Sequence, residues 1–306
     1  MSDSTSARPP FDYMPLPDRE PIRWPGDARV AFYVGLNIEH YHVDAPATSI
    51  FPGTAALKPD PLNYGWRDYG PRVGIWRMIE LLDRLHMPAS VLLNSEVCEQ
   101  NPEIIAAGVE REWAWLGHGT TNSRLHTGFG SREDEAKALA EMFSVLEAST
   151  GSRPAGWLGP ALTETFETPS LLAELGASYV LDWCNDDQPY PLAGGDRMIS
   201  VPYSIELNDI PLFVGKSFTG AEFRDMIVDW FDQLYKDGEA TGRVMTVALH
   251  PFIANQPSRQ RYLEEALEHI AGHEAVWTTT SDAIAAHYFE HYYDNALAAL
   301  AERNGS

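Results

Sequence analysis

The chain has 306 residues, which is enough for one large domain with a sizeable core. Its 22 basic and 44 acidic residues give a formal net charge of −22, which argues against nucleic acid and anionic membrane surfaces as partners. Two cysteines cannot build a disulfide framework, and no apolar run is long enough to cross a membrane. Because residues 1–8 are polar and contain no apolar signal segment, we expect a cytoplasmic protein.

The N-terminal residues 1–28 are rich in Pro, Asp and Ser and predict an arm that is either disordered or lies across a neighbouring subunit. A buried strand follows at 30–36, and just past it come Glu39, His40 and His42. A carboxylate and two imidazoles at a strand end are typical of groups that bind a metal or transfer protons. Solvated loop residues are the alternative.

An insertion at residues 44–70 has no helical or strand period and carries the aromatic side chains Trp66 and Tyr69. Long structureless insertions inside compact domains are usually functional, so this one predicts a loop that covers a substrate, with Trp66 in contact with it. A packed surface loop is the alternative.

Beyond the insertion, apolar residues at helical spacing between Val73 and Leu85 predict a helix that ends before Pro88.

The third predicted strand, Glu112–Leu116, leads into Gly117-His118-Gly119-Thr120-Thr121-Asn122. The flanking glycines let the backbone turn sharply at His118, and Asn122 follows at the spacing that places two side chains on one side of a helical turn. A capped helix N-terminus with a packing histidine is the alternative.

Strand and helix patterns alternate through residues 29–290, with helices opening at the caps Ser131 and Thr219, and a final helix from Ser281 to Leu300 whose end lies in 291–306. Seven or eight strands in this alternation predict an α/β fold, a single (β/α) barrel-like domain with its site at the carboxyl ends of the strands. Five side chains fall just past such ends and are predicted to converge: Glu39, His118, Trp157, Asp182 and His250.

The order of these motifs resembles the polysaccharide-deacetylase (NodB-homology) superfamily over about residues 29–288. The resemblance implies a distorted (β/α)7-8 barrel of the NodB type found in glycoside hydrolases and deacetylases. The motifs that carry it stand here as Ile38-Glu39, His118-Gly-Thr-Thr-Asn122, Arg153-Pro154-Ala-Gly-Trp157, Asp182-Trp183 and Leu249-His250-Pro251.

This chain departs from the family pattern at the positions of the metal ligands and of the base. Family deacetylases hold a divalent ion with one Asp and two His, and a preceding Asp serves as base. Here Ile38 stands at the base position, and Glu39, His118 and Asn122 stand at the ligand positions. His126 is either a substitute for the third donor or a surface histidine. The resemblance therefore leaves two alternatives, one Zn²⁺ or Mn²⁺ ion on these residues or a metal-free mechanism.

A long insertion and the element Asn185-Asp-Asp-Gln-Pro-Tyr190 resemble the branch that includes metal-independent allantoinases and cyclic imide hydrolases. That resemblance implies a hydrolase of non-peptide C–N bonds in a small, cyclic amide, imide or ureide. The predicted arm and the aromatic side of the last helix indicate a homo-oligomer.

In this reading His250 is a general acid or base, since an imidazole titrates near neutral pH, and Glu39 and His118 activate water. Asp182 fixes the tautomer of His250, as supporting carboxylates do. Substrate contacts are predicted for Trp66, Asn122, Arg153, Trp157 and Asp187, with a structural ion pair as the alternative for Arg153.

Two other functions remain open at this stage. A carbohydrate N-deacetylase would need an open groove for a polymer, and the insertion argues against one. A non-catalytic barrel used for binding or scaffolding would explain Ile38 and Asn122, but not the presence of both His118 and His250.

Overall fold

The structure is a computed structural model that describes residues 8–45, 47, 52–194 and 196–305. The first residues of the predicted arm and part of the insertion, including Pro46, therefore lie outside the described residues. The strands in this part of the chain are β1 (Val30–Ile38), β2 (Ala89–Leu93), β3 (Ala114–Gly117), β4 (Gly156–Trp157), β5 (Tyr179–Val180), β6 (Tyr190–Pro191), β7 (Ile199–Ser200), β8 (Arg243–Leu249) and β9 (Val276–Thr278).

All these strands join one mixed sheet in the order β6-β7-β5-β4-β3-β2-β1-β8, in which only β6 and β7 pair antiparallel. One edge of β1 pairs with β8, and its other edge pairs first with β9 and then with β2. Near the open side of the curved sheet, Asn208 forms a parallel bridge with Ala248 of β8. The chain thus folds as a distorted, incomplete (β/α) barrel, and the predicted fold class is confirmed.

Helices pack around the sheet, on its outer face and at the ends of the barrel. They are α1 (Pro61–Tyr69), α2 (Ile75–Leu85), α3 (Ser95–Gln100), α4 (Pro102–Glu110), α5 (Arg132–Thr150), α6 (Thr168–Glu174), α7 (Gly220–Asp237), α8 (Pro251–Ala254), α9 (Pro257–Ala271), α10 (Ser281–His291) and α11 (Tyr293–Asn304). Predicted caps open two of them, since Ser131 accepts from the backbone N–H of Asp134 and Thr219 forms a capping box with Glu222. No helix of the described chain is long and apolar enough to cross a membrane.

Two predicted elements differ from the structure. The insertion is not structureless, because α1 lies within it, starting at the cap Asp60 and continuing through a π-helical turn into α2. The predicted final helix breaks at Tyr292, whose backbone is not helical, into α10 and α11.

The side chains of β1 alternate between two apolar layers, as the period of a strand requires. Phe32, Val34 and Leu36 belong to the layer between the sheet and the helices. Ala31 and Tyr33 belong to a second layer, which fills the barrel interior. This alternation decides which residues past the strand ends can reach the site.

The described part of the predicted arm packs on its own chain. Trp24 is buried against Trp277 and His287, and its indole N–H donates to the carbonyl of Arg243 at 2.9 Å. Arg19 forms an ion pair with Asp186 at 2.5 Å. Contacts with another subunit remain a prediction.

Gly74, the last residue of the π-helical turn before α2, shows how tightly that turn packs against the start of α8. A Cβ atom on Gly74 would lie 2.1 Å from the carbonyl oxygen of Pro251. We expect Gly74→Ala to destabilise the fold by about 1–3 kcal/mol and to lower Tm by several degrees, because a rigid backbone atom must move. Differential scanning calorimetry measures this. Gly65→Ala is the matched control, since nothing lies within 4 Å of its added Cβ, and an equal loss in that variant would contradict the explanation.

Candidate active site

The alternation of side chains along β1, β3 and β8 directs Glu39, His118 and His250 towards the same point. Each follows the inward-facing positions of its strand, represented by Tyr33 in β1 and Leu116 in β3. The Glu39 Oε1 atom lies 3.4 Å from His118 Nε2 and 3.5 Å from His250 Nε2. All three side chains are nearly buried, with 2–4% of their surface exposed. Ile38, by contrast, faces the helix layer.

The Glu39 carboxylate is surrounded by hydrogen-bond donors. Tyr41 donates its hydroxyl to Oε2 at 2.5 Å, and the side-chain amide of Asn122 donates to Oε1. Burial alone would raise the pKa of Glu39, but the charge of His250 lowers it well below its usual range. Glu39 is therefore ionised at neutral pH.

The backbone carbonyl of Leu158 fixes a proton on one ring nitrogen of His118. Its Nδ1–H donates to the carbonyl oxygen of Leu158 at 2.6 Å, and Nε2 faces Glu39 at 3.4 Å. In the neutral form of this ring, Nε2 would accept a hydrogen bond on the side of the reaction site.

A chain of amides fixes the orientation of Asn122. The backbone N–H of His40 donates to Asn94 Oδ1 at 2.9 Å, so Asn94 must present its NH₂ group on the other side. That group donates to Asn122 Oδ1 at 2.9 Å and to the carbonyl of His118. Asn122 consequently turns its own NH₂ group towards Glu39 and His118.

This orientation does not fit a metal held by Glu39, His118 and Asn122. A divalent cation needs lone pairs from every ligand, and Asn122 offers N–H groups in that direction. Glu39 and His118 alone supply two donors. The structure therefore corrects the prediction that Asn122 is a metal ligand.

A buried carboxylate, Asp209, holds His250 in place. Asp209 accepts the Nδ1–H of His250 at 2.6 Å and its backbone N–H at 2.7 Å. Burial alone would lower the pKa of His250, but Asp209 and Glu39 outweigh it and raise that pKa to about 9. His250 is therefore an imidazolium at neutral pH, with its Nε2–H directed to the Glu39 side.

Asp209→Asn tests this assignment. Losing the carboxylate should lower the pKa of His250, so the alkaline limb of kcat/KM should move from near the wild-type value of about 9 towards lower pH. The pH dependence of kcat/KM measures this. A limb that stays in place would mean that Asp209 does not set the charge of His250.

A cavity of about 210 Å³ reaches Glu39 from the side of the insertion, and Tyr41, Tyr64 and Arg67 contribute to its wall. The Arg67 guanidinium lies 3.9 Å from the centre of the Tyr41 ring. Trp66 packs edge-on against Phe252, whose ring in turn lies 5.7 Å from that of His250. Helix α1 thus covers the site. Trp66 does not contact the reacting groups directly, because the ring of Phe252 lies between it and His250. Larger cavities elsewhere are lined by neither Glu39, His118 nor His250.

Three predicted site residues point elsewhere. Asp182 follows an outward-facing position of β5 and accepts the backbone N–H of Gly159 at 2.7 Å, so it does not hold His250. Trp157 is completely buried in the layer between sheet and helices and is no substrate wall. His126 is bound to Glu135 at 2.9 Å and is no third ligand.

The two remaining substrate contacts lie at the opposite end of the barrel. Arg153 precedes β4 and binds Glu147 and the carbonyl of Leu175, which makes it a structural ion pair. Asp187 accepts the backbone N–H of Val244 through its carbonyl, at the start of β8. His250 follows the other end of that strand, roughly 20 Å away. The structure corrects both predictions.

Sequence reasoning missed Asp209, Tyr41, Arg67 and Asn94. Only Tyr41 carried a usable signal, because it lies two residues after Glu39 and so on the same side of an extended chain. The other three depend on packing between segments distant in sequence.

The distorted barrel, with a buried carboxylate between two imidazoles at the carboxyl ends of its strands, is consistent with the NodB-like barrel of polysaccharide deacetylases. No protein-family model matches the chain. It is 28% identical over 294 residues to a protein of Schizosaccharomyces pombe assigned as a polysaccharide deacetylase, covering 86% of this chain and 91% of that protein.

Solved structures agree. A Pseudomonas aeruginosa PAO1 protein assigned as a polysaccharide deacetylase has a TM-score of 0.78 and 27% identity, covering 88% of this chain and 94% of that one. The PuuE allantoinase has a TM-score of 0.82 and 25% identity, covering 94% and 99%. The predicted resemblance to the polysaccharide deacetylases and to their allantoinase-like branch is thus confirmed. Deacetylases and allantoinases are hydrolases of non-peptide C–N bonds, and the predicted enzyme class is confirmed at that level.

Proposed function

We propose that the protein hydrolyses a C–N bond in a small, cyclic amide, imide or ureide by a metal-free mechanism. The observation that carries the proposal is the contact of one carboxylate, Glu39, with two imidazoles, His250 at 3.5 Å and His118 at 3.4 Å. Such a trio can supply a base, an acid and an orienting acceptor at one carbonyl group.

In the proposed reaction, a water molecule hydrogen-bonds to Glu39 Oε1 and His118 Nε2. Its oxygen attacks the carbonyl carbon while one of its protons passes to Glu39. His250 Nε2–H then donates its proton to the leaving nitrogen as the C–N bond breaks, which yields a carboxylic acid and an amine or amide. The side chain of Arg67 brings positive charge to the cavity wall, where it would stabilise the oxyanion.

The site resets by one proton transfer. After the reaction Glu39 is protonated and His250 is neutral, and their reacting atoms are 3.5 Å apart in the resting structure. Transfer from Glu39 to His250 restores both charges, and Asp209 favours it because it stabilises the imidazolium. Asp209 and Tyr41 act here as positioning residues.

A small substrate suits the cavity. Pockets for drug-sized ligands occupy about 300–1,000 Å³, and the space that reaches Glu39 measures about 210 Å³. Trp66 and Arg67 on α1 both lie against Phe252 beside the site. We propose that α1 lies over the ring of the bound substrate.

A substrate screen tests the function. Purified protein is incubated with hydantoin, dihydrouracil, succinimide and allantoin, and with chitin oligomers, and the release of ring-opened product or acetate is measured. Turnover of a cyclic compound supports the proposal. Acetate release from the oligomers alone would replace it with the second function below, and no turnover of any compound would favour a non-catalytic barrel.

The second function is carbohydrate N-deacetylation. It is favoured by the relatives, since the Schizosaccharomyces pombe and Pseudomonas aeruginosa proteins are both assigned as polysaccharide deacetylases. Glu39 and His250 would play the same parts at an N-acetyl group. A cytoplasmic location and a homo-oligomeric state remain predictions from the sequence.

A further inference from the structure

Beside the catalytic groups lies a second cluster to which the proposed mechanism gives no role. His40 Nδ1 and His42 Nε2 each lie 2.7 Å from the same oxygen of Glu96. These atoms all lie within 4.8 Å of one another, and each side chain is 21–30% exposed. Two imidazole nitrogens and a carboxylate oxygen thus surround one point at the protein surface.

The backbone holds these side chains in place. His40 donates its N–H to Asn94 and accepts the N–H of Asn122, and the N–H of His42 donates to Ser123 at 2.8 Å. Glu96 donates its N–H to the carbonyl of Thr120 at 3.1 Å. All three residues are therefore anchored to the loop after β3, so the site requires little ordering before a ligand binds.

We propose that His40, His42 and Glu96 form a binding site for one divalent transition-metal ion of the Zn²⁺ class. Two imidazoles and a carboxylate with an open position are a donor set that Zn²⁺ accepts, at about 2.0–2.2 Å from each ligand atom. Donor atoms within 4.8 Å of one another meet that requirement with small side-chain rotations. The site is distinct from Glu39 and His118, where Asn122 presents N–H groups.

The ion would connect the exit of β1 to α3 at the start of the insertion. His42 forms a bridge with Ala45, immediately before the segment that leads to α1. His40 also belongs to the wall of the catalytic cavity. A bound ion would therefore fix one end of the segment that covers the site.

Zinc titration of the full-length protein tests the proposal. Protein freed of metal with a chelator and then desalted is titrated with ZnCl₂ by isothermal titration calorimetry. We expect one equivalent to bind to the wild type, and the Glu96→Gln and His42→Gln variants to bind at least about tenfold more weakly. Both substituted side chains are partly exposed, so the variants should fold, which a melting curve checks.

Two controls separate this site from others. His118→Ala removes the family's histidine position and should leave zinc binding unchanged. Asp232→Asn alters the other described cluster of this kind, Asp232 with His269 and His273 on the outer helices, and should also leave it unchanged. X-ray absorption of the wild-type adduct should show two imidazole ligands. No zinc binding by the wild type, or a loss confined to either control, would overturn the proposal.

Discussion

Replacing His250 by Asn is expected to lower kcat by about a hundredfold or more, the usual scale for a lost general acid. The asparagine amide can still donate a hydrogen bond to Asp209, so the variant removes the proton donor and leaves the supporting contact available. Steady-state kinetics against pH are the measurement. Wild-type kcat/KM should fall as the pH rises through about 9, where His250 loses its proton, and the variant should lack this limb.

His269→Asn is the control for this experiment, because His269 is a partly exposed histidine that binds Asp232 on the outer helices. It should keep wild-type kcat and the same alkaline limb. Near-normal turnover in His250→Asn, or an alkaline limb that persists in it, would show that another group donates the proton.

The second large effect is expected for Glu39→Gln, which preserves the shape of the side chain but removes its charge. Turnover should fall by about a hundredfold to ten-thousandfold, because the base is lost. The pKa of His250 should fall as well, since the Glu39 carboxylate is one of the two charges that raise it. Kinetics and an NMR titration of the His250 ring measure these effects separately.

Glu239→Gln provides the matched control, since this carboxylate is 74% exposed and pairs only loosely with Arg29 at 3.8 Å. Both the kinetics and the titration should be unchanged there. If Glu39→Gln lowered turnover but left the pKa of His250 near 9, the two groups would not be coupled as the geometry indicates.

The sequence was enough to predict the barrel and the convergence of Glu39, His118 and His250, because alternation along parallel strands is a local property. Trp157 and Asp182 lie on the other side of their strands. Trp157 and Val180, which precedes Asp182 by two residues, belong to the layer under the helices, whereas Leu158 and Tyr179 belong to the interior layer. The sequence did not reveal this, because the phase of the alternation must be known for each strand separately.

What the sequence could not provide depends on contacts between distant segments. Asp209 reaches His250 because an irregular stretch between β7 and β8 runs beside β8. The direction of the Asn122 amide is set by Asn94 and by the backbone of His40. Helix α1 was hidden by Pro59, Pro61 and Gly65, which read as loop residues although a proline at the first helical turn is compatible with a helix.

The incomplete closure of the barrel also has a bearing on its chemistry. Asp209 directly follows Leu207 and Asn208, which pair with Ala248 of β8 at the open side of the sheet. This contact is the seam of the barrel. If that seam loosened, Asp209 would move away from the imidazole of His250. His250, the proton donor, would then lose its charge at neutral pH while the remaining strands stayed paired. Mild heat or denaturant should therefore abolish turnover before global unfolding. The first contacts to be lost should be those of Leu207 and Asn208 with Ala248.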